Sequence, residues 1–177
     1  SAAARIPASD DNSAELDMVV AALLAAGMDR EAAAWNPIAE GEAGSLAWAL
    51  LAVGAPQPGV GIDEGRIEDW GALTSPTSAQ RTAMLAAALA GLGRIEPQAA
   101  QGLGVAVQRE NAWTEALDQA AASRQPGTVA LLAAVGMQTG DWDGVPPDHL
   151  FRVVRALRQV GLDFEARMIA AEALTRI

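Results

Sequence analysis

Five times along the chain an Ala/Leu-rich run ends in a glycine. The copies are Ala22-Leu23-Leu24-Ala25-Ala26-Gly27, Ala49-Leu50-Leu51-Ala52-Val53-Gly54 and Ala88-Leu89-Ala90-Gly91-Leu92-Gly93, with looser ones ending at Gly136 and Gly161. A glycine just past an apolar helix takes the left-handed conformation that closes the helix and satisfies its last carbonyls. The first and last copies also restart alike, Gly27-Met28-Asp29-Arg30-Glu31-Ala32 beside Gly161-Leu162-Asp163-Phe164-Glu165-Ala166. There an aspartate can cap the next helix and a glutamate meets its positive dipole end. This grammar predicts an all-α fold of stacked antiparallel helical hairpins, arranged as an irregular α-α superhelix or as a compact helical array.

Alanine supplies most of the 51% hydrophobic content, against 4% aromatic residues, and it is the best helix former. No stretch alternates apolar and polar residues over a strand's length. The expected organisation is a polar lead-in over 1–12 and a single all-helical domain over 13–177, interrupted by an irregular insertion at 55–76. Ser13, Asp29, Ser75-Pro76, Pro97, Asn111, Pro126 and Pro147 read as helix starts, and Asn36-Pro37 as a stop or kink. Leu16, Val19, Val20, Leu23 and Leu24 form one apolar face. The helix opened by Pro126 contains Val129, Leu131, Leu132 and Val135, and in the last helix Phe164, Met168 and Leu174 are available for packing.

The marker glycines are spaced by 27, 39, 43 and 25 residues, a mean of 33.5. Repeats of helical hairpins have periods near ~34. Over residues 16–35 and 150–174 the chain resembles a tetratricopeptide-like solenoid at the level of architecture, although it has no tyrosine for that family's signature.

The formal charge is −10, with 7 Arg against 18 acidic residues over 1–145 and 5 Arg against 4 over 146–177. So acidic a body argues against a nucleic-acid backbone as partner and favours a basic one. The absence of cysteine excludes disulfides and thiol chemistry. All 12 basic residues are arginine, which with abundant Ala, Gly and Pro fits a bacterial gene of high GC content and leaves cytoplasm or periplasm open. The start Ser1-Ala2-Ala3-Ala4-Arg5 lacks the pattern of a signal peptide. The uncharged run from Ala43 to Ile62 is broken by Pro56, Pro58 and three glycines, so no membrane span is expected.

No motif carries catalysis. His149 is the single histidine, placed in the first turn after Pro147, and reads as structural. Asp141-Trp142-Asp143-Gly144 opens like a calcium loop, but the sixth and twelfth positions are Pro146 and Arg152, so no metal site results. The pairs Glu40/Glu42, Asp63/Glu64 and Glu68/Asp69 lie among other acids, where solvation is the default. Gly59-Val60-Gly61 lacks the strand and third glycine of a phosphate loop.

These absences leave binding. The candidate partner-binding residues are Trp70 and Trp142, in irregular acidic segments; Asp63, Glu64, Glu68 and Asp69, for a basic peptide; and Arg152, Arg155 and Arg158, a stripe able to hold a carboxylate or to pair with the acidic body. The expected function is a non-catalytic protein-interaction or scaffold module, with a protein or peptide partner and without a cofactor. The alternatives are a helical accessory domain of a larger, possibly cell-envelope, enzyme and a carrier of an apolar small ligand.

Overall fold

A computed structural model describes residues 2–42, 44–72, 77–140 and 142–177, without the side chains of residues 10, 11, 13 and 143. The described residues form eleven α-helices: α1 (Leu16–Ala25), α2 (Asp29–Ala33), α3 (Asn36–Gly41), α4 (Leu46–Gly54), α5 (Glu64–Ala72), α6 (Ser78–Gly91), α7 (Pro97–Gly102), α8 (Ala112–Ala122), α9 (Pro126–Gly136), α10 (Pro147–Gln159) and α11 (Asp163–Thr175). No strand occurs among the described residues.

The array is built around α4, a helix with no charged residue of its own and buried from Ala47 to Gly54. It packs against α1, α3, α6 and α11, while α6 forms its main contact with α10 and α8 bridges α10 to α9. In a solenoid each unit touches only its sequence neighbours. Here Arg167 of α11 reaches back 113 residues to the end of α4, so the chain closes on itself as a compact array.

A fully buried helix must have its end groups satisfied by protein, because water cannot reach them. At the N-terminus of α4, Ser45 Oγ accepts from Trp48 N at 3.1 Å and Asp17 Oδ1 accepts from Ala47 N at 2.7 Å. At its C-terminus the Arg94 guanidinium donates to the carbonyls of Ala52 and Ala55, and Arg167 donates to that of Gly54. An anion thus sits at the positive end of the helix dipole and two cations at the negative end. Burial, with Arg167 and Arg158 nearby, lowers the Arg94 pKa to about 10, leaving it charged at neutral pH.

The marker glycines divide into two physical types. Gly27, Gly93 and Gly161 have φ of 68°, 69° and 83° and close helices by the expected motif. Its long bond runs from Met28 N to Leu23 O, Arg94 N to Leu89 O and Leu162 N to Leu157 O, at 2.9, 2.8 and 2.9 Å. Gly54 and Gly136 instead remain inside their helices, where they admit neighbours. A Cβ at Gly54 would lie 2.7 Å from Leu24 Cδ1, and one at Gly136 2.0 Å from the Trp113 ring. The same closing motif ends α8, where Gln125 N donates to Ala120 O at 3.0 Å, but its left-handed position is held by Arg124 at φ 52°. Arg124→Gly is therefore expected to raise stability by about 0.5–1 kcal/mol, read as a higher urea midpoint.

Several local expectations are revised. The lead-in forms 3-10 turns at Ala3–Arg5 and Asp10–Glu15, and Ala3 and Ile6 rest on the core, so it is packed rather than loose. Asn36-Pro37 begins α3 instead of simply ending α2, with proline in the first turn. α7 stops at Gly102, shortly before Gly104 turns left-handed at φ 95°. The insertion at 55–76 contains α5, which packs on α6. Asn111 caps α8 in a reciprocal box with Thr114, as its spacing suggests. The helix start expected at Ser75-Pro76 lies outside the described residues, as do the Ser13 side chain and Asp141 of the calcium-loop comparison; Thr77 makes no side-chain cap to α6.

Candidate functional site

The insertion is stapled to the body by its loop. Trp48 Nε1 donates to Gly61 O at 3.1 Å, and Gly61 N donates to Glu40 Oε2 at 2.8 Å. Arg66 joins Glu40 at 2.6 Å and Asp63 at 3.5 Å. The Gly61 amide, reinforced by Arg66, holds the Glu40 carboxyl below its ordinary range. Asp63 also accepts from Arg66 N at 3.0 Å, starting α5. Of the acidic candidates, Asp63 is thus occupied locally, while Glu64, Glu68 and Asp69 face solvent on the outer side of α5.

Trp70 belongs to the inner side with Ile67. It is 0% exposed, and Arg81 lies over its ring at 4.2 Å, so it is a core wedge and not a surface contact. Trp142 is half-buried and lines an open hollow of about 470 Å³ with Met137, Thr139, Val145 and Arg176.

The arginine stripe separates. Arg152 is 4% exposed, and its guanidinium donates to Asp118 at 2.6 Å and to the carbonyls of Arg109 and Val107 at 2.7 and 3.3 Å. Arg155 reaches the other oxygen of Asp118 at 2.6 Å and lies over Phe151. Arg158 donates to Gly91 O at 3.3 Å. Two of the three therefore tie α10 to α8 through one carboxylate, and the third ties it to α6.

His149 joins three helices. Its Nδ1 lies 3.0 Å from Gly136 O, which can only accept, so this nitrogen carries the proton. The ring stacks on Trp113 at 4.5 Å between centroids, and Trp113 Nε1 donates to Leu132 O at 2.8 Å. Among the described residues no group of three or more His, Cys, Asp or Glu is placed to hold a metal ion. No described helix is long and apolar enough to cross a membrane.

Four large apolar side chains stand open to solvent, among them Phe164, which the sequence offered for packing. Met18 and Leu131 are each 66% exposed, Val135 49% and Phe164 45%. On α9 only Val129 and Ala133 are buried, leaving Leu131 and Val135 on a helix without a single charge. Elsewhere in the array, α1 and α11 both rest on α4 but scarcely touch each other. Between them runs a groove of about 430 Å³, floored by Leu24 and Leu50 and walled by Ala21 and Ala25 on one side and Phe164 and Met168 on the other. The missed signal is visible in α9. A helix apolar on every side has no solvent face of its own, so burying one side necessarily exposes apolar residues on the other.

Compared with protein-family models, curated proteins and solved structures, the chain shows no significant match. The described residues form a compact all-helical array that leaves large apolar side chains of α1, α9 and α11 in solvent.

Proposed function

We propose that this chain is a non-catalytic interaction or scaffold module that holds protein partners on its apolar surfaces. The observation that carries the reading is the exposure of Met18 on α1, Phe164 on α11, and Leu131 and Val135 on α9. Contiguous exposed apolar surface on a soluble protein marks interaction sites, because leaving it in water costs roughly 25 cal/mol per Å². Arg152, Arg155 and Arg94 are engaged in structural bonds, which supports the reading too.

A photo-crosslinking side chain at Met18 or Leu131 tests this in the native host. A discrete protein adduct is expected at one or both positions, and none from the same label at solvent-facing Glu68. Equal labelling at all three positions, or no discrete adduct, would overturn the proposal.

Carriage of an apolar small ligand is the second reading and rests on the α1/α11 groove. Small-ligand pockets generally enclose about 70–90% of their ligand, whereas this groove lies open along the surface between two helices. That geometry favours the protein partner.

A further inference from the structure

We propose that the hollow between the end of α8 and the last turns of α10 binds a phosphate group, held between Arg124 and Arg155. The site shares no residue with the exposed apolar side chains and stands independently of the interaction reading.

The starting observation is a backbone cost without a structural return. Arg124 is the one non-glycine residue with positive φ among the described residues, at 52°. Gly27, Gly93 and Gly161 close their helices in the same way without steric penalty. A cation needed only for the negative end of the α8 dipole could stand at exposed Ala122 or Ser123, where the backbone is not left-handed. Strain of this kind points to a task for the side chain. Yet the exposed Arg124 guanidinium forms no hydrogen bond or ion pair with any described residue.

The hollow gives that guanidinium a companion. It has a volume of about 540 Å³ and is lined by Asp118, Ala121, Ala122, Arg124, Arg155 and Gln159. Arg155 is fixed in place, its Nη2 donating to Asp118 Oδ1 at 2.6 Å and its guanidinium 5.1 Å from the Phe151 ring. Those contacts use one nitrogen for hydrogen bonding: Nε has no partner among the described residues, and neither has Nη1. Gln159, exposed at the end of α10, brings an amide with two further donors. Ala121 and Ala122 add only methyl groups to the wall and leave the space open.

Charge selects the ligand. Asp118 is the only acid in the lining, and both its oxygens are taken, Oδ2 by Arg152 and Oδ1 by Arg155, each at 2.6 Å. Together these three side chains carry a single net positive charge, and Arg124 adds a second. The closing carbonyls of α8 are occupied as well, since Gln119 O, Ala120 O and Ala121 O accept from the backbone N–H groups of Ser123, Gln125 and Arg124 at 3.0 Å. Two positive charges balance a phosphate dianion, whereas a carboxylate would balance only one. One planar fork satisfies a flat carboxylate, but a tetrahedral phosphate offers oxygens to two forks from different helices.

Calorimetric titration of the full chain with inorganic phosphate at about pH 8, where phosphate is chiefly a dianion, tests the site. Saturable binding is expected, and acetate at equal ionic strength should bind at least about tenfold more weakly. Arg124→Gly should weaken phosphate binding by about tenfold or more, the loss of one charge-assisted pair, while still raising the urea midpoint measured without phosphate. Gln159→Glu, which brings an unpaired carboxylate to the exposed lining, should weaken binding comparably. Arg30→Gln removes an exposed arginine of α2 and should leave the affinity unchanged. Glycerol phosphate separates the sources: affinity equal to that of phosphate or above assigns the site to phosphate esters, and weaker binding assigns it to the free ion. No saturation by phosphate, equal binding of acetate, wild-type affinity in Arg124→Gly, or an equal loss in Arg30→Gln would overturn the proposal. Any of these would leave the crosslinking result at Met18 and Leu131 to decide the interaction reading alone.

Discussion

Arg94→Ala is expected to lower the unfolding free energy by about 3–5 kcal/mol, a large part of a domain's ~5–15 kcal/mol. The substitution strips the carbonyls of Ala52 and Ala55 of their donor at the buried end of α4. Each unsatisfied buried carbonyl costs about 1–3 kcal/mol, and the vacated guanidinium leaves a cavity. Arg94→Lys should recover part of the loss, because one ammonium cannot span two carbonyls as the planar fork does. Urea unfolding reads both variants, with the midpoint shifting and the slope unchanged. A loss below about 1 kcal/mol would mean that water reaches the end of α4. The wild-type arrangement has its own cost, since burial and the neighbouring Arg167 and Arg158 depress the Arg94 pKa to about 10. The folded state therefore binds this proton less tightly than the unfolded chain. The penalty is fully present at neutral pH and is relieved only as pH rises from about 10 toward the ordinary arginine value.

The second large effect is expected at Gly91→Ala. A Cβ there would lie 2.8 Å from the Phe151 carbonyl oxygen and 2.8 Å from Val154 Cβ, both on α10. Neither a backbone oxygen nor a β-carbon can swing aside, so α6 and α10 must separate along their main contact. Overpacking of this kind costs about 1–3 kcal/mol and outweighs the ~1 kcal/mol by which alanine is the better helix former. Thermal unfolding should show a fall of roughly 2–4 °C per kcal/mol for a chain of this length. Gly102→Ala is the control: no atom stands within 4 Å of its Cβ, so it should be neutral or slightly stabilising.

The contrast between these glycines explains how much was legible beforehand. Helix starts and stops depend on groups a few residues apart, and so the Asn111 cap and the closures at Gly27, Gly93 and Gly161 could be read directly. Gly54 and Gly136 share the same sequence phrase but are required by Leu24 and Trp113, partners the phrase does not contain. Trp70 shows the same limit. Its acidic setting suggested the surface, yet Ile67 and Trp70 lie three apart on one face of α5 with Glu64, Glu68 and Asp69 turned away, an amphipathic helix against α6. Exposure was hardest to foresee. Leu131 and Phe164 have the chemistry of core residues, and only the absence of a neighbouring helix leaves them in water. For Arg152 and Arg155 a pairing within the acidic body was foreseeable in kind, but Asp118 as their shared partner was not, since it lies 34 residues from Arg152.

The burial of α4 from Ala47 to Gly54 also bears on how the molecule breathes. A surface helix loses its amide protons to deuterium through fraying, which needs little free energy, whereas α4 from Ala47 onward is buried. Its amides can exchange only when the packing around it opens. Isotope labelling of Ala49 to Val53 would thus register the unfolding of the array as a whole, and labelling of the half-exposed α9 only its local openings.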